Sequence, residues 1–191
     1  VAPRIADTLR NAERPVIMSG TGCRSEAVIQ AAAHVAWALN RTGRASHLCY
    51  SLPECNSLGL ALMGGKSLEE PFDAIREEAV QAVIILENDL YRRADPNWVD
   101  VFLDGGKQII VLDHLEQATV SKADMLIPAG TFAETDGTLV NNEGRAQRFY
   151  QVFVPEGDGQ ESWRWIRDLA RASHRPDLSD MASWNQLDDV V

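Results

Sequence analysis

The stretch SGTGCRSEA carries two glycines, Gly20 and Gly22, between an apolar run and a segment of helical periodicity. A glycine turn at that place lets a phosphate group approach the unpaired N–H groups at the start of the helix. Gly20, Thr21 and Gly22 are therefore candidates for a dinucleotide site. The dinucleotide motif, however, has a third glycine where this chain has Ser25. Because the same glycines serve any tight turn from strand to helix, the partial motif favours a structural role.

A second candidate is the pair Asp113 and His114, which ends a strongly apolar run. Open α/β sheets bind their ligands at the carboxyl ends of the strands, so polar side chains at this place are candidates for binding. A polar strand end that caps the following turn explains the same two residues. We therefore assign no catalytic residue here.

Three cysteines, Cys23, Cys49 and Cys55, include no C-x-x-C pair, which excludes the usual zinc and iron–sulfur spacings. Cys23 follows the glycine turn, where a thiolate would be stabilised, but no sequence motif links a histidine to it. We predict an inert thiol at Cys23 and no metal site. Apolar neighbours predict that Cys49 is a buried, reduced thiol, which favours a reducing compartment.

The composition is that of one soluble globular domain. With 191 residues and 45% hydrophobic residues, the chain is long enough for one buried core. A formal net charge of −10 argues against a surface for nucleic acid or anionic lipid. No apolar run approaches the roughly 20 residues that cross a bilayer. Because the chain starts without Met and in a helical pattern, we expect it to be a segment of a longer protein.

Apolar runs alternate with helical periodicity along the whole chain. Runs that are continuously apolar predict strands buried on both faces, and the intervening helices predict parallel crossovers. The sequence therefore predicts an α/β fold with a doubly wound, Rossmann-like parallel sheet and a β-hairpin after the last parallel strand. Strands are predicted in RPVIMSG, ASHLCYS, AVIILEN, KQIIVLD and ADMLIPA, and helices over 24–40, 72–80, 163–174 and after the Asp95–Pro96 cap. Inward-facing helix residues are expected to include Phe72, Ile75, Ala79, Trp98 and Phe102.

The polar stretch TFAETDGTLVNNEGRAQRF, residues 131–149, predicts that hairpin, which we place at 137–154. The Asp136–Gly137 pair predicts a tight turn in which Gly137 adopts positive φ. The polar side chains are expected to hydrogen-bond the backbone or to form ion pairs. The expected backbone partners are Asn141, Asn142 and Gln147, and the expected ion pairs join Glu134 or Glu143 to Arg145 or Arg148. Since no apolar pocket is predicted around the carboxylates, the stretch favours architecture over acid–base chemistry.

The same region resembles a known family. ADMLIPAGTFAETDGTLVNNEGRAQRF is similar to the strand–hairpin signature of the molybdopterin oxidoreductase superfamily, and twelve positions match it at fixed spacing. These positions are Ala123, Asp124, Pro128, Phe132, Glu134, Gly137, Thr138, Asn141, Glu143, Gly144, Arg145 and Gln147. The resemblance covers most of the chain and implies the dinucleotide-binding-like third domain of that family.

Within the superfamily, the chain is most similar to the large G subunits of bacterial NADH:quinone oxidoreductase, respiratory complex I. For that group the resemblance implies 4Fe–4S and 2Fe–2S clusters in an N-terminal region outside this chain, and a molybdopterin-like body without the molybdenum cofactor. Superfamily members that bind the cofactor often have a G-x-N-P-like turn where this chain reads LENDL. Glu87 and Asp89 bring negative charge to that place, which is unfavourable beside a pyrophosphate.

Three functions follow from these observations. The first is a structural, non-catalytic domain at 1–174, with 175–191 as an acidic tail or linker. Its partners would be other domains of the same subunit and other subunits of the complex I peripheral arm, on the cytoplasmic side of the bacterial inner membrane. The second is a cofactor-clamping domain of an active molybdopterin oxidoreductase of the formate dehydrogenase type, and the third is a free-standing nucleotide-binding domain. Only in these alternatives would Gly20, Thr21, Gly22, Asp113 and His114 bind a cofactor.

Overall fold

The computed structural model of the chain describes residues 1–23, 25–43, 45–76, 80–104 and 106–186. Helices and strands alternate along the chain. The helices are α1 (Ala2–Asn11), α2 (Glu26–Arg41), α3 (Ser57–Leu62), α4 (Glu69–Arg76), α5 (Pro96–Leu103), α6 (Ser162–Ser173) and α7 (Ser179–Ser183). The strands are β1 (Val16–Gly20), β2 (His47–Ser51), β3 (Ala82–Leu86), β4 (Gln108–Asp113), β5 (Met125–Pro128), β6 (Gly137–Val140) and β7 (Ala146–Phe149).

The described strands form two parallel sheets and one antiparallel hairpin. In the first sheet β1 pairs with β2, and Gly20 lies opposite Ser51 at the carboxyl ends. In the second sheet β4 lies between β3 and β5, with Leu86 opposite Leu112. Strands β6 and β7 form the hairpin. The α/β class, the parallel pairing and the hairpin are therefore confirmed, although the hydrogen bonds divide the parallel strands into two groups.

The chain divides into two compact units. The first unit comprises Val1–Gly65 and Leu139–Gln147, and so contains β1, β2 and the tip of the hairpin. The second unit comprises Lys66–Thr138 and the described residues from Arg148 onward, and so contains β3, β4 and β5.

In the first unit, α2 covers one face of the sheet. Its residues Ala36 and Leu39 are buried, because apolar side chains three and four positions apart lie on one side of a helix. The hydroxyl of Tyr50 on β2 donates to the carbonyl oxygen of Ile29 on α2 at 2.9 Å. Helix and sheet are thus joined by both apolar packing and a hydrogen bond.

The other face of the β1–β2 sheet is open, which corrects one prediction. Cys49 is exposed, as are Cys23 and Cys55. Met18, which lies opposite Cys49 in the sheet, is also exposed, at 73%. A continuous apolar run predicts burial on both faces, but burial also requires a covering layer, and no described residue of this unit supplies one.

In the second unit, α5 packs on the β3–β4–β5 sheet and forms the core. The helix begins as predicted, since the Asp95 carboxylate accepts a hydrogen bond from Asn97 N at 2.9 Å and Pro96 occupies the first turn. The core cluster contains Ile85, Leu90, Val99, Phe102, Leu103, Ile109 and Val111.

The prediction that α5 buries Trp98 is wrong. Trp98 is 60% exposed, whereas its neighbour Val99 is fully buried. The inward face of the helix contains Val99, Phe102 and Leu103, and this spacing places Trp98 at its edge. There its ring meets the ring of Phe72 edge-on at 6.3 Å.

The remaining helices agree with the sequence within a few residues. The described part of helix α4 runs to Arg76, and Phe72 packs against the core as predicted. The predicted inward positions of Ile75 and Ala79 lie outside the described side chains. Helix α6 ends before His174, whose φ of 52° is left-handed. Among the described helices, none has the length and apolar character needed to cross a membrane.

Candidate functional site

The glycine turn after β1 lines an open cleft of about 460 Å³. The cleft lies at the carboxyl ends of β1 and β2, where parallel sheets bind ligands. Its walls are Met18–Cys23 on one side and Ser51–Pro53 on the other. Gly20, Thr21 and Gly22, the candidates for a dinucleotide site, all line this cleft.

The structure requires glycine at one of the two glycine positions of this turn and not at the other. A Cβ atom on Gly20 would come closer than 3.0 Å to the carbonyl oxygen of Ser51, so the adjacent strand requires glycine there. A Cβ atom on Gly22 would meet no atom within 4 Å, and Gly22 is not among the residues with positive φ. Strand packing therefore explains Gly20, whereas neither crowding nor backbone conformation explains Gly22.

Asp113, at the end of β4, is buried and acts as the cap of the next turn. One carboxylate oxygen accepts from the N–H groups of His114 at 2.7 Å and Leu115 at 3.0 Å. The other accepts from the Gln117 amide at 2.8 Å. The His114 ring lies beside it, with Nδ1 3.7 Å from Asp113 Oδ1. This pair belongs to the second unit and the glycine turn to the first.

The LENDL segment after β3 holds its carboxylates in the same way. Glu87 has a left-handed φ of 45° and accepts a hydrogen bond from the Ser162 hydroxyl. Asp89 accepts from the hydroxyl of the fully buried Thr119 at 2.8 Å, and that hydroxyl in turn accepts from Leu90 N at 2.8 Å. Both carboxylates have structural partners within the unit.

The carboxyl edge of the three-stranded sheet therefore does not fit the pyrophosphate of a pterin dinucleotide. Such a group needs N–H donors and cations. The carboxyl ends of β3 and β4 instead present Glu87, Asp89 and Asp113, whose oxygens already accept internal hydrogen bonds. An added phosphate would meet negative charge at this edge.

The signature residues before the hairpin have internal roles. Asp124 accepts a hydrogen bond from Ile109 N at 2.7 Å and returns one from its own N–H to Ile109 O at 2.9 Å, which fixes β5 beside β4. Pro128 ends β5, and its carbonyl oxygen accepts from the Trp165 indole at 2.8 Å. The Asp124 contacts explain why an aspartate precedes β5, and the Trp165 contact holds the end of this strand to α6.

Glu134 closes a capping box. Its carboxylate accepts from Thr131 N at 2.8 Å and from the Thr131 hydroxyl at 2.7 Å. These bonds, the backbone one first, hold the pKa of Glu134 below its usual value. The carboxylate that we expected to pair with an arginine therefore caps a 3₁₀ turn, Phe132–Glu134.

Gly137 does not adopt the positive φ that the sequence predicted. It begins β6 in an extended conformation, and a Cβ atom there would come within 2.5 Å of Phe149 Cε1. The left-handed glycine of the hairpin is Gly144, with φ of 77°. Glycine is thus required at 137 for the close approach of a ring and at 144 for the turn.

Asparagines build the tip of the hairpin, as predicted. The Asn141 side chain accepts from the N–H groups of Glu143 at 3.0 Å and Arg145 at 2.9 Å. Asn142 donates to the carbonyl oxygen of Tyr50 at 3.2 Å. These side chains replace a regular turn with one that their own amides stabilise.

Sequence reasoning missed Glu161, which joins the hairpin region to α6. It is 7% exposed, and its carboxylate accepts from Asp136 N at 3.0 Å and from Arg164 Nε at 2.6 Å. A polar residue immediately before a helical pattern was the available signal, but glutamate is not among the preferred capping residues. No group of three or more metal-ligating side chains occurs in the part of the chain described here.

Parallel strands that alternate with helices, followed by a capped, asparagine-built hairpin, agree with the type of domain that the sequence resembles, that of the molybdopterin oxidoreductases. The profile of the molybdopterin oxidoreductase family matches residues 3–172, so the chain belongs to this family. The family predicted from the hairpin signature is therefore confirmed.

Within this family, the chain is similar to the G subunits of bacterial NADH-quinone oxidoreductases. The chain is 45% identical over its whole length to the G subunit of the NADH-quinone oxidoreductase from Pseudomonas fluorescens. It is 43% identical over 99% of its length to the corresponding protein from Shewanella oneidensis, and 42% identical over 98% to that from Escherichia coli K12. The chain spans 21% of the length of each of these relatives, about a fifth.

Proposed function

We propose that this chain is a non-catalytic structural domain of the large iron–sulfur subunit of a bacterial NADH:quinone oxidoreductase. The observation that carries the proposal is that the two carboxylates after β3 already accept hydrogen bonds from side chains of the same unit. Glu87 and Asp89 occupy the place where a parallel sheet would receive a pyrophosphate, and side chains of the same unit already hold both. Identity of 42–45% to the G subunits of NADH-quinone oxidoreductases supports the same conclusion.

In this proposal the chain contributes shape rather than chemistry. The complex passes electrons from NADH through iron–sulfur clusters to quinone. The 4Fe–4S and 2Fe–2S clusters of the large subunit lie in a part of the polypeptide outside this chain. The partners of the domain are other domains of the same polypeptide and neighbouring subunits of the peripheral arm, on the cytoplasmic side of the inner membrane.

We also propose a domain boundary near His174. Helix α6 ends there in a left-handed conformation, and only the short segments Pro176–Leu178 and α7 follow in the described residues. Arg171 on α6 donates to the carbonyl oxygen of Ala182 at 2.6 Å, which folds the start of this tail back onto α6, so a linker would leave the unit only beyond α7. Residues 175–191 then serve as the tail or linker toward the next domain.

Metal analysis of the full-length polypeptide tests the proposal. The protein is purified from cells grown with molybdate, and iron and molybdenum are measured together by mass spectrometry. We expect several iron atoms per polypeptide and no stoichiometric molybdenum. A formate dehydrogenase purified from the same cells is the positive control for molybdenum loading. About one molybdenum atom per polypeptide would refute the proposal.

The open cleft at Gly22 favours a second candidate, a dinucleotide-binding domain. Glycine at this position has no structural cause in the described residues, whereas close approach of a ligand would require it. Gly22→Val would add bulk where such a ligand approaches, and its Cβ atom would meet no described atom within 4 Å. Titration of the wild-type chain and of Gly22→Val with NADH, followed by calorimetry, separates the two candidates. Saturable binding by the wild type alone would support the second.

A further inference from the structure

The segment after the hairpin exposes large apolar side chains. Tyr150, Val152, Phe153 and Val154 are 63–80% exposed, and Phe132, on the preceding loop, is 60% exposed. We call these five residues the apolar strip. An exposed apolar surface of this extent on a folded unit indicates a contact with another molecule or domain.

The backbone of the strip is fixed from within. The N–H groups of Val152 and Phe153 both donate to the carbonyl oxygen of Ala133, at 2.8 and 3.0 Å. The N–H group of Gln151 donates to the Asp136 carboxylate. Because these donors are already used, a partner cannot pair with them as an added β-strand. It must pack on the side chains, which extend from a backbone that is held in place before the partner arrives.

The size of the strip indicates the kind of partner. Three aromatic rings and two valines at these exposures offer on the order of 500 Å² of surface. Domains of one chain associate through roughly 300–750 Å² on each side and separate proteins through roughly 600–1,000 Å², so an apolar area of this size is compatible with both. A tethered domain has a high effective concentration, so it needs the smaller of these surfaces.

We propose that the apolar strip is the docking surface for another domain of the same polypeptide. The inference rests on the proposed function, in which this chain is one domain of a larger subunit. Because the chain spans 21% of the length of its relatives, most of such a polypeptide remains to supply the partner. The partner surface has aliphatic or aromatic side chains at its centre.

Photo-crosslinking in the full-length polypeptide tests this docking. The photoreactive residue p-benzoylphenylalanine replaces Phe153, and in a control it replaces Trp98. Trp98 is a matched position, since it is aromatic, lies in the same unit and is 60% exposed against 63% for Phe153. We expect cross-links from position 153 to residues of the same polypeptide outside 1–191. Mixed isotope-labelled and unlabelled copies distinguish a cross-link within one polypeptide from one between two copies.

Every other result overturns the proposal. Cross-links to a different subunit, to a second copy or within 1–191 would do so, as would a cross-linking yield no higher than that from position 98.

A second measurement uses Phe153→Ser, with Trp98→Ser as its control. Limited proteolysis between this domain and its neighbour should become about tenfold faster in the first variant only. Equal cleavage rates in Phe153→Ser and wild type would also reject it.

The outcome is separable from that of the metal analysis. Molybdenum in a polypeptide that still cross-links as expected would reject the structural function and leave the docking surface intact. A molybdenum-free polypeptide whose strip cross-links elsewhere would reject the docking surface alone.

Discussion

Phe149 lies so close to the backbone of Gly137 that a Cβ atom at position 137 would come within 2.5 Å of Phe149 Cε1. The Phe149 ring is in turn stacked on Phe132, with centroids 4.4 Å apart and planes inclined by 29°. The absence of a side chain at Gly137 therefore leaves the space in which the Phe149 ring lies. The first strand of the hairpin depends on this close approach and not on a left-handed backbone.

Gly137→Ala is expected to lower the free energy of unfolding by about 1–3 kcal/mol, because the added methyl group overlaps the Phe149 ring. For a chain of this size the fall in Tm is about 2–4 °C for each kcal/mol. Thermal unfolding followed by circular dichroism measures it. In a Phe149→Leu background the same substitution should cost less. Equal costs in both backgrounds would show that the ring is not the obstacle.

Gly137 shows what a local pattern cannot predict. The Asp136–Gly137 pair is a common turn sequence, and it predicted positive φ at Gly137. The left-handed glycine lies instead in the asparagine turn, at Gly144. The strand pairing and the Phe149 ring determine the extended conformation of Gly137. Both act through contacts between residues distant in sequence, which no local rule contains.

Strand positions, in contrast, were predictable because they depend on the local sequence. Short, continuously apolar runs predicted all five parallel strands, since this pattern depends on the local sequence alone. Burial was less predictable. Cys49 is exposed because nothing described covers its face of the sheet, and Trp98 is exposed because the helix turns Val99 inward in its place.

Glu87 is expected to be strained, because its φ of 45° is unfavourable for any residue with a Cβ atom. Glu87→Gly and Glu87→Ala both remove the hydrogen bond with Ser162, so the difference between them isolates the backbone term. We expect the glycine variant to be more stable than the alanine variant by about 1 kcal/mol. Urea unfolding of both measures this. An alanine variant of equal or greater stability would contradict the left-handed conformation.

Glu134 is expected to make stability depend on pH. The Thr131 hydrogen bonds hold its pKa below the usual 4.5, so they stabilise the folded state above that value, and the contribution is lost as the pH falls through the lowered pKa. Wild type should therefore melt above Glu134→Gln at neutral pH, and the two Tm values should converge as the pH falls below 4.5 and through the lowered pKa. Thermal unfolding over this range measures both. A constant difference would mean that the carboxylate charge is not involved.

Gly20 and Gly22 distinguish a scaffold requirement from a ligand requirement. Because a methyl group on Gly20 would overlap the backbone of Ser51, Gly20→Ala is expected to cost about 1–3 kcal/mol of unfolding free energy. Gly22→Ala adds its methyl group to open space and should change the same quantity by less than about 0.5 kcal/mol. Urea unfolding of the two variants tests this order. If the proposed function is correct, the full complex carrying Gly22→Ala should also keep NADH:quinone activity. Normal stability with lost activity would instead place a ligand against this turn.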